Sequence, residues 1–357
     1  MKVRRNGNFR TYAVAAFVLL NVIGARPASS QILYIVYELG ALCDEGISFA
    51  LDIDNSGQAV GRSGYITDSD TRAVRWTAYG VESLGTLPGG DYSAAFGMNP
   101  AGQVVGTSNT ATTVRAFLWT SANGMQDLGT LPGNNGSEAL DVNDAGDVAG
   151  TSTGPQGMRA VRWRTDGSIE NLGTLPGGSF SKAVALNNSG QVVGTSGSPS
   201  GKRAFLWTSS GGMTDLGTLP GDTASEASAI NSLGHVVGYS SGPNGTHAFL
   251  WRSGSGMIDL GTLPGGTYSR AYSINNLDQV VGTSTDASGN TRAFLWTLVI
   301  GMLDLNHLIP PLVTGLTLSE AHRINNLGQI AALSGGAEMP PDGHEHEHFY
   351  RVFLLRP

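Results

Sequence analysis

The sequence predicts an all-β fold, a seven-bladed β-propeller, on three observations. The phrase Leu-Gly-Thr-Leu-Pro-Gly begins at Leu84 and returns at Leu128, Leu172, Leu216 and Leu260, a constant interval of 44 residues. Degenerate copies at Leu39-Gly40-Ala41-Leu42 and Leu305-Asn306-His307-Leu308-Ile309-Pro310 bring the count to seven. A fixed period of this size marks a stacked or radial array of one supersecondary unit. Each interval holds four short β-type segments separated by Gly, Asn, Ser and Pro, with no helical periodicity. The two ends are also out of phase. The chain after residue 31 opens on a lone segment, Ile32 to Leu39, that matches the fourth of a unit, and ends on Arg351 to Leu355, which matches the third. The early strand therefore completes the last blade, which closes the ring and removes open edges.

Ahead of the repeats, residues 1–30 read as a secretory signal. Lys2, Arg4, Arg5 and Arg10 precede an apolar stretch from Tyr12 to Ile23, and Ala28-Ser29-Ser30 offers small residues for cleavage. A dozen apolar residues is short for a bilayer span, and no longer run follows. The expectation is one propeller domain over residues 31–357, exported to the periplasm or beyond, without a membrane span and monomeric.

Within the unit from Ser181 to Leu219, the first strand is Ser181 to Leu186. Ser and Ala recur at its start in every copy, from Ser48/Ala50 to Ser319/Ala321, and small side chains suit the place where blades converge, so this strand is placed innermost. Asn187-Asn188-Ser189-Gly190 is a type I turn ending on a residue tolerant of positive φ; Asp54 opens it in the first copy and Asp278 replaces its glycine in the sixth. The second strand is Gln191 to Gly194. A polar loop leads to Arg203 to Thr208, the aromatic third strand. All six tryptophans (Trp76, Trp119, Trp163, Trp207, Trp251 and Trp296) hold one position there, with Leu355 in the seventh copy, which marks them as core. Met213 to Gly217 is the fourth strand.

The phrase His247-Ala248-Phe249-Leu250-Trp251, with Gly256 to Gly265 after it and Ile230-Asn231 and Val236-Val237-Gly238 before, resembles the HAF repeat of bacterial extracellular proteins. Five copies carry Arg where the motif has His, and blade seven has Arg351-Val352-Phe353. The resemblance spans nearly all the chain after the signal and implies a secreted repeat protein. It carries no established activity.

Composition narrows the partners. The chain has 21 basic and 28 acidic residues, and five of the basic ones lie in the signal, so the remainder lacks the positive surface that grips a phosphate backbone. Nucleic acid is excluded as an expected partner. Cys43 is the only cysteine, so no intrachain disulfide forms; it reads as a small buried hydrophobe.

Function is sought in the loops between second and third strands, which share one face with the connections from a fourth strand to the next first strand and vary where the scaffold repeats. Tyr92, Phe180 and Tyr268 precede the recurring serine in blades two, four and six; such aromatics can stack on sugar rings, and the bland reading, packing over the top of the inner strand, is the one the pattern favours. Asp68, Asp70 and His247 are candidate ligand-binding or acid–base groups. His344, His346 and His348 alternate along an extended segment and could bind Zn or Cu; no other cofactor is expected. Arg75 and Arg162 replace leucine in third strands and are expected to pair with carboxylates. An alternate-oxygen run, Asp52 to Gly57, suggests calcium but has no downstream bidentate Glu. No hydrolase motif and no phosphate-cradling loop is present. The expected function is a secreted, non-catalytic binding or structural module facing a glycan or cell-surface partner. The alternative is an extracellular polysaccharide-active lyase or hydrolase.

Overall fold

The computed structural model describes residues 34–42, 47–64, 71–310, 316–335 and 351–357. These residues form seven antiparallel sheets of four strands each. Blade four shows the plan: Ser181–Leu186, Val192–Ser198, Gly201–Thr208 and Gly212–Asp215 pair in sequence order. The seventh sheet departs from it as expected. Ile35–Leu39 pairs with Arg351–Arg356, with Val36 opposite Leu355 and Leu39 opposite Val352, so the chain's early strand is the outer strand of the last blade. Tyr34, Val36 and Leu39 are buried there. Of the segment read as Ile32 to Leu39, residues 32 and 33 lie outside the described residues, as do the signal and Cys43.

Each first strand touches the first strand of the blades on either side, and the last touches the first, so the innermost strands form a closed circle. The aromatic third strand lies farther out, where wedge-shaped gaps between blades need large apolar side chains. Phe117, Phe205, Phe249, Phe294 and Phe353 are fully buried, and seven core clusters fill the ring between neighbouring blades. Four of the tryptophans are buried as expected, whereas Trp119 and Trp251 are half-buried. The Arg75 guanidinium covers the Trp119 ring at 5.0 Å.

The turns between first and second strands explain why asparagine recurs. In blade four Asn187 Oδ1 accepts from the backbone N–H of Ser189 and of Gln191 at 3.1 Å each, which fixes the turn. Its Nδ2 donates to Gln191 Oε1 at 2.7 Å and to the carbonyl of Asn231, the same residue one blade on, at 3.1 Å. The inter-blade bond repeats from Asn99 through Asn143, Asn187, Asn231 and Asn275 to Asn325, which donates to Asp54. A belt of six amide bonds thus joins the blades around the axis. Gly190 closes the turn at φ +71°, and Asp278, at φ 56°, is the one described non-glycine residue in that region.

The recurring serine does more than save space. Fourth strands are so short that the N–H of the third-strand alanine has no ladder partner, and the next blade's serine accepts it: Ala160 N–H donates to Ser181 Oγ at 2.9 Å, and that hydroxyl donates to Gly173 O. The same stitch joins Ala73 to Ser93, Ala116 to Ser137, Ala204 to Ser225 and Ala248 to Ser269. A buried N–H that would otherwise be orphaned is satisfied between blades.

Candidate ligand-binding face

Two rings of side chains lie on the innermost strands. Each such strand carries a β-bulge three residues before its end or close to it, shifting register between Ala50 and Asp52, Ala139 and Asp141, Ala271 and Ser273, and Ala321 and Arg323 among others. A bulge re-aims the side chain that follows it, here toward the next blade. Asp52 Oδ2 accepts from Met98 N–H at 2.8 Å, Asp141 Oδ2 from Leu186 N–H at 2.9 Å, and Ser273 Oγ from Ile324 N–H at 3.3 Å. Arg323 turns to Leu51 O at 3.1 Å and Asp52 Oδ1 at 3.3 Å, closing the circle.

Burial raises the pKa of both aspartates. Asp52 is pushed up by desolvation, with Arg323 and the N–H groups of Met98 and Ile53 opposing it. Asp141 is pushed up to about 7 by burial, with the Asp52 charge adding to it and Arg323 and the N–H groups of Leu186 and Val142 opposing it. The Asp52–Gly57 run considered for calcium is used otherwise: Asp54 Oδ1 accepts from Ser56 and Gln58 N–H at 2.9 Å each and holds the turn.

The second ring is the residue between the recurring Ser and Ala: Phe49, Ala94, Glu138, Lys182, Glu226, Arg270 and Glu320. Here the charges and aromatics gather. Lys182 pairs with Glu138 at 3.6 Å, and Lys202 with Glu226 at 3.4 Å. Phe180, Lys182, Lys202, Glu226 and Tyr239 line a cavity of about 320 Å³ together with Met158 and Thr195. Arg270 sits 4.1 Å above the Tyr239 ring and 5.4 Å from that of Tyr268, and its Nε is buried without a hydrogen-bond partner. Burial pushes the Tyr239 phenol up to about 12, with the Glu226 charge adding to it, so the hydroxyl is a donor at neutral pH. Tyr272 stacks on His322 at 5.2 Å, and His322 Nε2 lies 2.9 Å from Glu320 Oε2; that hydrogen bond lowers the Glu320 pKa.

The three aromatic candidates occupy equivalent places, each anchored through its backbone. The carbonyls of Tyr92, Phe180 and Tyr268 accept from Asn109, Gly197 and Thr285 N–H respectively. Phe180 lies flat over Gly197, where a Cβ would come 3.0 Å from its ring, and continues into the cavity. Tyr268 joins the Arg270 stack. Tyr92 belongs to neither group and is half-buried over blade two. His247 sits apart, on the third strand of blade five, with Nδ1 2.9 Å from Asp259 Oδ2. Arg115, Arg203 and Arg292 face Asp127, Asp215 and Asp304 in the same way, so His247 stands in a repeated pair between third and fourth strands. Asp68, Asp70, His344, His346 and His348 lie outside the described residues. Among the described residues no group of three or more His, Cys, Asp or Glu could hold a metal ion. Arg75 and Arg162 pair with Glu82 at 2.6 Å and Glu170 at 2.7 Å, as their positions predicted.

Sequence reasoning passed over Glu226, Tyr239, Arg270, Tyr272 and His322. Their signal is variability inside otherwise repetitive strands: Glu226 and Arg270 between the recurring Ser and Ala, Tyr272 and His322 just after that Ala, and Tyr239 on the second strand.

Comparison with family models and with curated protein sequences returned no match. Solved structures do match. The oligogalacturonate lyase in complex with manganese superposes with a TM-score of 0.58 at 10% identity, covering 98% of this chain and 96% of that one. Virginiamycin B lyase from Staphylococcus aureus gives 0.57 at 13% identity, with 91% and 99% covered. TolB from Acinetobacter baumannii gives 0.50 at 12% identity over 84% of this chain, which spans 65% of TolB's length. At such identities the likeness is one of fold. Among the described residues no helix is long and apolar enough to cross a membrane.

Proposed function

We propose that the protein is a secreted, non-catalytic module that binds a glycan on the face carrying the fourth-to-first connections. The observation that carries this reading is the group Phe180, Lys182, Glu226, Tyr239, Arg270 and Tyr268 at the start of the innermost strands of blades four to six and on the second strand of blade five, where aromatic rings alternate with charged groups beside a cavity of about 320 Å³. Sugars are recognised by that combination: ring faces cover C–H surfaces while carboxylates, ammonium groups and phenols bond hydroxyls. Sites of 300–1,000 Å³ suit small ligands, so this one fits roughly one or two sugar units. The signal-like residues 1–30 and the resemblance to HAF repeats support export, with Tyr92 as an outlying contact and a monomer as the working unit.

A glycan-array screen of the purified chain, followed by calorimetric titration of the best glycan into wild type, F180A and Y239A, tests it. Both variants should weaken binding several-fold without changing the melting temperature by more than a few degrees. No bound glycan, or equal affinity in both variants, refutes it. The polysaccharide-active enzyme remains the second reading because His322, hydrogen-bonded to Glu320 on the same circle, is a proton-transfer pair. Release of reducing ends or unsaturated uronates, abolished in H322Q, would establish it over the first. Zn or Cu at His344, His346 and His348 is tested by comparing titration heats for wild type and the triple His→Ala variant.

A further inference from the structure

The larger cavity lies at the opposite end of the ring, at the seam where the last blade meets the first. It measures about 720 Å³ and is lined by Tyr37, Arg75, Trp76, Tyr79, Glu82 and Arg356 among others. Arg75 and Glu82 bond each other at 2.6 Å and so neutralise one wall. Arg356 does not find such a partner. Its guanidinium stacks on the Tyr37 ring at 5.0 Å, and among the described residues it forms no ion pair.

The repeat supplies a comparison. Arg356 occupies the position just after the third-strand Trp or Leu, as do Arg252 in blade five and Arg164, which is exposed, in blade three. Arg252 reaches the fourth residue of the next blade's turn, Asp278, with Nη2 2.8 Å from Oδ2. Arg356 reaches the same place in its own neighbour, where the residue is Gly57: a Cβ there would lie 2.8 Å from Arg356 Nη2. The blade-five junction therefore holds a guanidinium with its carboxylate, and the seam holds one with the carboxylate missing and a cavity beside it. Asp278 keeps its place despite φ 56°, a region that disfavours side chains, which shows how well a carboxylate suits that position.

We infer that the seam is a binding site for a small carboxylic acid carried on a ring, whose carboxylate pairs with Arg356 as Asp278 pairs with Arg252 and whose ring lies against Tyr37 and the fully exposed Tyr79. The site is independent of the glycan reading, which concerns the other end of the ring. Acidic sugars and aromatic acids share this chemistry, and the probes separate them.

The test titrates D-glucuronate and benzoate, with D-glucose and benzyl alcohol as uncharged counterparts, into the full chain, following Trp76-region fluorescence and heat. At least one acid should bind, and its uncharged counterpart should bind far more weakly. R356Q should weaken it by at least about tenfold. G57D, which supplies the missing carboxylate from the chain itself, should do the same while leaving the fold intact or raising its melting temperature. Glucuronate alone would mark an acidic-sugar site and benzoate alone an aromatic-acid site. Binding of neither acid, equal binding of the uncharged compounds, or affinity that survives either substitution would overturn the assignment.

Discussion

The belt of asparagines around the axis can be weighed by two substitutions at one residue. Asn187 is buried and makes four hydrogen bonds, two that hold its own turn and two donated by Nδ2, one of which crosses to blade five. N187A removes all four and leaves the N–H groups of Ser189 and Gln191 and the carbonyl of Asn231 to find water at the mouth of the ring. At roughly 1 kcal/mol net for each bond, discounted for that water, the expected loss is about 2–4 kcal/mol. N187D keeps both turn acceptors and removes only the donations. Asp54 is the natural precedent, holding the same turn through Oδ1 in blade one. The aspartate should therefore cost roughly 1–2 kcal/mol, about half as much. Urea denaturation followed by tryptophan fluorescence gives both values from the midpoints at constant m. If N187D matches wild type, the cross-blade bond contributes nothing and the belt is geometry without energy. If N187A falls within about 0.5 kcal/mol of wild type, the estimate itself fails.

Other perturbations reach different parts of the ring. Deleting residues 32–39 strips the outer strand from the last blade and exposes the edge of Arg351–Arg356, so the melting temperature should collapse and the protein aggregate; an unchanged melting curve would refute the closure. Burial raises the Asp141 pKa to about 7, so the folded state holds this proton more tightly than the unfolded chain. Its contribution is full below pH about 4 and lost as pH rises through about 7, by a few kcal/mol in all. The slope of stability between pH 5 and pH 8 should accordingly flatten in D141N, as read by denaturation at each pH. Replacing Arg323 by Met leaves Asp52 buried without its cation and should cost roughly 3–5 kcal/mol at pH 8. The cost should shrink as the pH is lowered, because Asp52, already raised by burial, takes up a proton more readily once the opposing cation is gone; a loss that does not change with pH would contradict the pairing. D278G relieves the backbone at φ 56° yet strands Arg252 and His235, so stability should fall; a gain would show that strain outweighs the ion pair.

The fold was legible because its determinants are local and repeated. The four-residue turn, the aromatic third strand and the phase of the two ends each lie within one interval, and pattern alone places them. The circle of Asp52, Asp141 and Arg323 was not legible for a physical reason. It depends on a bulge that re-aims side chains and on the Arg323–Asp52 pair, whose members lie in the last and first blades, and neither leaves a mark in local periodicity. The serines were read by size, and their hydrogen bonds became visible only once the shortness of the fourth strand left an N–H unmet. Asp278 stood out as a substitution for glycine, but its reason, Arg252 and His235 of the preceding blade, lies across an interface.

Asp54 has no hydrogen to give. The clasp that every other turn of its kind offers to its successor is therefore absent between the first and second wedges, whose nearest equivalent atoms are the Asp54 carboxylate and the Asn99 carbonyl. The belt is open at this one junction, which lies one wedge away from the seam where the two chain ends are sewn together. Ring opening that begins between wedges therefore meets one fewer amide bond of this belt there than at any other junction.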